Sequence, residues 1–127
     1  MRRLVATGAP WAARVGYSRA VRVGNVVHVA GTVAVDAHGA VAHPGDPYAQ
    51  ARRALEIIVG ALAEAGAEPR HVVRTRMYVA DATHWEEVAR AHGEVFAEIR
   101  PATTLVAVAG FVDPAILVEI EAEAIIE

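Results

Sequence analysis

The 127-residue chain contains no cysteine and no lysine. The first absence excludes disulfides, thiolate metal sites and a thiol nucleophile, and the second excludes a Schiff-base lysine. Serine occurs once, at Ser18, outside any strand-to-helix nucleophile elbow, so acyl-enzyme chemistry has no support. Aromatic residues make up only 6% of the chain, and no stretch reaches the ~18 consecutive apolar residues of a membrane helix. Arg2 and Arg3 precede only Leu4-Val5-Ala6, too short for a signal-peptide core, so a cytoplasmic protein with no membrane partner is expected. Excess positive charge is missing as well. The 12 basic residues, all arginine, face 15 acids, and the net charge of −3 leaves no footprint for a nucleic-acid partner.

What is present is apolar. Hydrophobic residues are 54% of the chain, charged residues 21%, and mean hydropathy is +0.29, which predicts one globular domain over residues 1–127. Alanine and valine dominate the apolar positions. Such side chains bury little area each, so part of the stability is expected from association between copies.

Two windows carry the helical period. Ala51, Leu55, Ile58, Leu62 and Ala65 recur at three- and four-residue spacing, behind Asp46-Pro47 as cap and first turn and ahead of Gly66 as stop. Trp85, Val88, His92, Val95 and Ile99 form a second stripe, introduced by a capping-box pattern at Thr83-His84-Trp85-Glu86 and ended by Pro101. Strands are predicted at Ala20 to Val23 and Val26 to Gly31, joined by Gly24-Asn25 in a hairpin, and around Val33 to Val35. Further strands are predicted at Val72 to Ala80, Thr103 to Ala109 and Ile116 to Ile126. In the first of these, Val73, Thr75, Met77 and Val79 share one face. In the last, Val118, Ile120, Ala122 and Ala124 face one way and Glu119, Glu121 and Glu123 the other. The order predicts an α+β fold, a mixed sheet with two helices on one face and the other face left for solvent or a partner.

Six histidines show no metal-ligand spacing, so no metal site is expected. His92 lies on the apolar stripe of its helix, where a packed, hydrogen-bonded imidazole is the simpler reading. No glycine pattern suits a nucleotide phosphate. The remaining chemistry is carboxylate chemistry. Glu119, Glu121 and Glu123 can all be the exposed face of an edge strand paired with Arg74 and Arg76, the reading taken for Glu121 and Glu123; Glu119, nearest the Gly110 to Ala115 loop, is open equally to that and to holding a water or passing a proton.

In order and spacing the chain resembles the Rid superfamily, the reactive intermediate deaminases also called L-PSP endoribonucleases. The likeness spans roughly positions 15 to 126. It rests on Val23-Gly24-Asn25-Val26-Val27-His28-Val29-Ala30-Gly31, on Gln50-Ala51-Arg52, on Ala65-Gly66, on Val72-Val73-Arg74-Thr75-Arg76 with Val79-Ala80-Asp81, and on Pro101-Ala102 followed by Val118-Glu119-Ile120-Glu121. The resemblance implies a chorismate-mutase-like fold in a barrel-like homotrimer, with helices outside and a small-molecule cleft at each subunit interface. It also implies hydrolysis of imines and enamines without metal or organic cofactor. It makes Glu119 the water-positioning residue and places Tyr17, Ala30, Gly31, Thr32, Thr103 and Leu105 around the substrate. The family's serine, glutamine and second-helix asparagine fall at Ala30, Thr32 and Ala89. Its carboxylate-gripping arginine falls at Thr103, and its cysteine at Leu105.

A threonine cannot reproduce an arginine–carboxylate fork. The expected activity is therefore hydrolytic deamination of a small imine, enamine or related metabolite lacking a free carboxylate, unless Arg22, Arg74 or Arg100 enters the cleft. The alternatives are a non-catalytic small-molecule-binding trimer and, last, an endoribonuclease, which the acidic balance disfavours.

Overall fold

The computed structural model describes residues 1–127. Six strands form one sheet: β1 (Arg2–Val5), β2 (Ala20–Val23), β3 (Val26–Thr32), β4 (Val72–Val79), β5 (Ala102–Ala107) and β6 (Val118–Ile125). Their spatial order is β1-β2-β3-β6-β4-β5, and only the β4·β5 pair is parallel. Three helices accompany them: the one-turn α1 (Ala12–Val15), α2 (Pro47–Glu64) and α3 (Trp85–Phe96).

The β2–β3 hairpin closes through a two-residue turn with Gly24 at φ 60°, a left-handed conformation for which glycine has no steric penalty. Helix α2 starts as its sequence dictates, with the Asp46 carboxylate accepting from the Ala49 N–H at 3.0 Å and Pro47 in the first turn. At its other end the Ala67 N–H bonds Leu62 O at 2.8 Å, and Arg22 reaches across from β2 to donate to Ala65 O at 2.8 Å. Arg22 thus serves a helix end on the far side of the sheet from the acidic face.

Both long helices cover the face formed by Val27, Val29, Thr75, Met77, Val79, Val118, Ile120, Ala122 and Ala124, and 22 buried residues make up the core. Phe96 is the largest fully buried side chain. The predicted α+β sheet with two helices on one face is what the chain adopts. The strand carrying the glutamates is central, not an edge, because β6 enters antiparallel between β3 and β4.

Several local expectations change. The N-terminal residues form β1 along the hairpin, a strand the sequence reading left out. The predicted strand at Val33 to Val35 reduces to a single bridge, Val35 with Val41; the Val35 carbonyl accepts from Arg53 Nε at 2.8 Å. The predicted capping box at Thr83 does not form: Asp81 caps a 3₁₀ turn, Ala82–His84, accepting from the Thr83 N–H and hydroxyl, and α3 follows with His84 at its N-cap and no side-chain cap. Trp85, assigned to the apolar stripe, is 54% exposed, and the helix ends at Phe96 rather than reaching Ile99. Arg100, before Pro101, stands at φ 58° and turns the chain into β5. Finally, a register shift between Val72 and Arg74 adds a residue to β4, so Val72 is buried and Val73 exposed, the reverse of strict alternation.

Candidate active site

Strand β3 makes a second irregularity, between Val29 and Thr32, and the candidate site is built around it. A bulge re-aims side chains and brings backbone close to a neighbouring strand. Here the neighbour is β6, and the Glu119 side chain lies directly over Gly31. A Cβ at position 31 would meet Glu119 Oε2 in a clash, with Cδ at 3.0 Å and Cγ at 3.4 Å. Glycine leaves room for the Glu119 carboxylate, which occupies the place a side chain would take.

The other side of the bulge is held by a residue the sequence reading passed over. Arg19 Nη1 donates to Gly31 O at 2.9 Å and to Thr32 Oγ1 at 2.7 Å, with a longer contact to Ala30 O at 3.4 Å. The Thr32 hydroxyl, buried, donates in turn to Ala30 O at 2.7 Å. The backbone of Arg19 links two strands, its N–H bonding Val5 O and its carbonyl accepting from Ala30 N–H. Its guanidinium stands 5.8 Å from the centre of the Tyr17 ring, within cation–π range. Tyr17 follows the Gly16 cap of α1, its N–H bonded to Ala12 O. Tyr17, Arg19, Ala30, Gly31, Thr32 and Glu119 thus gather around one bulge.

Burial raises the Glu119 carboxyl above the ordinary carboxylate range; the nearby Glu121 raises it further, and Arg19 acts in the opposite direction. A carboxyl held this way exchanges protons closer to neutral pH than a solvated one. Further along the same face, Arg76 bridges Glu121 at 3.1 Å and Glu123 at 3.2 Å, and Tyr78 Oη donates to Glu121 at 2.8 Å. The expected pairing of the acidic strand with β4 is therefore made by Arg76, with Arg74 outside it. A shallow depression of about 270 Å³ lies over this part of the face, lined among others by Ser18, His28, Arg76 and Glu121, and does not include Glu119.

Thr103 and Leu105 are not with the others. Thr103 is registered with Thr75 and Leu105 with Met77 across the parallel pair, and both β4 residues face the helices. Thr103 Oγ1 lies 2.9 Å from Thr75 Oγ1, which lies 2.8 Å from His92 Nε2, and Leu105 packs on the core. Within one chain the sheet separates these two side chains from Glu119. His92 is the packed, hydrogen-bonded imidazole expected of it, tilted against Phe96 with ring centroids 4.7 Å apart. Burial lowers its proton affinity.

The loop entering β6 is fixed from below. Gln50, fully buried in α2, donates through Nε2 to Ala115 O at 2.9 Å and His43 O at 3.3 Å, and its Oε1 accepts from Leu117 N–H at 2.9 Å. This clamps the residues immediately before Val118-Glu119.

Fold and site together define a chorismate-mutase-like α+β protein whose open sheet face carries three half-buried carboxyls, of which Glu119 makes no salt bridge. The family described as Endoribonuclease L-PSP matches residues 7–126. A crystal structure of a YjgF/YER057c/UK114 family member from Mycobacterium tuberculosis superposes with TM-score 0.90 at 44% identity, covering 99% of this chain and 100% of that one. An uncharacterized protein of Streptomyces coelicolor is 43% identical over 122 residues, 96% of this chain and 90% of the other. The 3-aminoacrylate deaminase RutC of Acinetobacter baylyi is 35% identical over 104 residues, 82% of each chain. The chain belongs to this family, the Rid superfamily.

Proposed function

We propose that this single Rid-like domain is a cytoplasmic hydrolase of small imines or enamines. The carrying observation is Glu119: a half-buried carboxyl with raised proton affinity, seated where Gly31 leaves room for it. In the proposed reaction Glu119 accepts a proton from a bound water as the water oxygen adds to the C=N carbon. The proton passes to nitrogen, the tetrahedral carbinolamine collapses, and ammonia leaves with a carbonyl compound as the other product. An enamine enters the same sequence after protonation at carbon. Similarity to a protein named as a 3-aminoacrylate deaminase supports this class of chemistry.

The working unit in this proposal is a homotrimer. Thr103 and Leu105 lie across the sheet from Glu119, so they line the same cleft only if the β5 edge of one copy meets the Glu119 face of another. Tyr17, Ala30, Gly31 and Thr32 then form one wall and Thr103 and Leu105 the other. The expectation of a substrate without a free carboxylate rested on the lack of a cation at Thr103. Thr103 still supplies none, but Arg19 beside Gly31 puts a cation on the Glu119 side, and the substrate's charge becomes a question about Arg19.

The test is ammonia release from freshly generated imines. Wild type is expected to turn over at least one, and Glu119→Gln to lose the activity while keeping the fold. Saturable ligand binding with no turnover on any imine would favour the non-catalytic trimer. A stable ~13 kDa monomer in light scattering at micromolar concentration would remove the intersubunit site.

A further inference from the structure

Arg19 is set apart from Arg76, Arg22 and Arg53 by where its charge stands, against Gly31 beside Glu119; Arg22 and Arg53 also bond only carbonyl oxygens, but away from the acidic face. Arg76 is consumed by two carboxylates and Arg22 by a helix end. Arg19 is held only by neutral acceptors, two carbonyl oxygens and one hydroxyl, all through Nη1. Its Nε and Nη2, which form the side-on fork of a guanidinium, have no protein acceptor, and it makes no salt bridge. Yet it and Glu119 flank the same residue: Arg19 bonds the Gly31 carbonyl while the Glu119 carboxylate covers the Gly31 Cα. A cation fixed by three contacts, with one bidentate edge uncommitted, stands beside a carboxyl with which it is not paired.

We propose that Arg19 is the specificity-determining residue of the site, its Nε/Nη2 fork binding a carboxylate of the substrate while Glu119 works at the adjacent C=N carbon. The inference rests on the hydrolytic reading above. It changes the substrate class expected from Thr103, since the anion is received on the Glu119 side of the cleft. Planar guanidinium and planar carboxylate match in two parallel charge-assisted hydrogen bonds, which lysine or glutamine cannot reproduce. The cation also offsets repulsion between the substrate carboxylate and Glu119. Tyr17, against the same guanidinium, limits its movement.

The experiment compares 2-iminobutanoate with its uncharged carboxamide as substrates, and 2-oxobutanoate with its carboxamide as ligands in calorimetry, for wild type, Arg19→Gln and Arg19→Lys. Wild type should prefer the carboxylate. Arg19→Gln should lower the carboxylate-to-carboxamide ratio of kcat/KM and of affinity on the order of 10- to 100-fold, chiefly through KM, with Arg19→Lys in between. Thermal melts identify any variant that has lost the fold. An unchanged ratio in folded Arg19→Gln, or a wild type preferring the carboxamide, overturns the inference. If wild type turns over no imine, the hydrolytic reading fails. Calorimetry still decides whether Arg19 receives a carboxylate.

Discussion

Replacing Gly31 by alanine separates stability from function in this site. Gly31 has no left-handed backbone requirement, so alanine is compatible with its conformation. By restricting the unfolded chain, such a change stabilises by about 0.4–1 kcal/mol. Against this stands the collision of the new methyl with the Glu119 carboxyl, the far end of a flexible side chain. Glu119 can escape by rotating, at about 0.5–1.5 kcal/mol if it is forced off a staggered rotamer. The two terms nearly cancel, and Gly31→Ala should melt within a few degrees of wild type. Catalysis has no such compensation, since a reacting group displaced by about 1 Å costs on the order of 100-fold in rate. Moving the carboxyl toward solvent also relieves the burial that raises its pKa, so residual activity should have an acidic limb at lower pH. Ammonia release on an imine that wild type hydrolyses, alongside calorimetric melting, measures both. Activity within twofold of wild type would refute the placement of Glu119 as the working carboxyl. A loss of more than about 3 kcal/mol would refute the claim that only a side-chain end is in the way.

Three further outcomes follow from the same geometry. Because Glu119's proton affinity is raised on folding, its contribution to stability is complete below the unfolded value near 4.5 and is lost as pH rises through the folded value. Glu119→Gln should therefore melt higher than wild type at pH 8 while turnover is lost; a lower melting point would contradict the burial argument. Gln50→Leu leaves two carbonyls and one N–H without their buried partner, about 3 kcal/mol in total, readable as a lower urea midpoint. It should also slow catalysis by freeing the residues before Glu119, and a variant as stable as wild type would show that the clamp is dispensable. His92, whose proton affinity falls on folding, gives stability that is full above the unfolded value near 6.5 and declines as pH falls below it. His92→Gln should flatten that decline between pH 7 and 5, and an unchanged slope would assign it to other groups.

The architecture was legible where one periodicity had one meaning. The α2 stripe, with Ala51, Leu55, Ile58 and Leu62 all buried, and the alternation of β6 were read correctly because each repeats through several turns or residues. Errors fell where a single residue shifts the phase. The extra residue at Val73 reverses the faces at the start of β4, and no property of valine announces it. The capping box at Thr83 did not form because a one-turn 3₁₀ segment capped by Asp81 takes up Thr83 and delivers the chain to α3 at His84. β1 was missed because four residues carry too little pattern. Its one buried side chain, Val5, gains meaning only beside Ala20.

The candidate site shows the same division more sharply. Glu119 could be singled out from the alternation of its own strand together with the family resemblance, and Gly31 from the resemblance alone. Arg19 could not, since it precedes β2 in sequence and reaches the site only because the bulge in β3 turns the Gly31 carbonyl and the Thr32 hydroxyl toward it. Thr103 illustrates the converse. Its position in the motif groups it with Glu119, but in a parallel pair the register with Thr75 fixes its side chain on the helix face, where it joins a hydrogen-bonded row ending at His92. A motif specifies which residues serve one site, whereas strand register specifies which face each occupies. When the two disagree within one chain, the site is either divided between copies or smaller than the motif suggests. The Arg19 substitutions distinguish these cases: selectivity residing wholly at Arg19 would mean that the Glu119 face is sufficient for recognition, with the β5 edge closing the cleft.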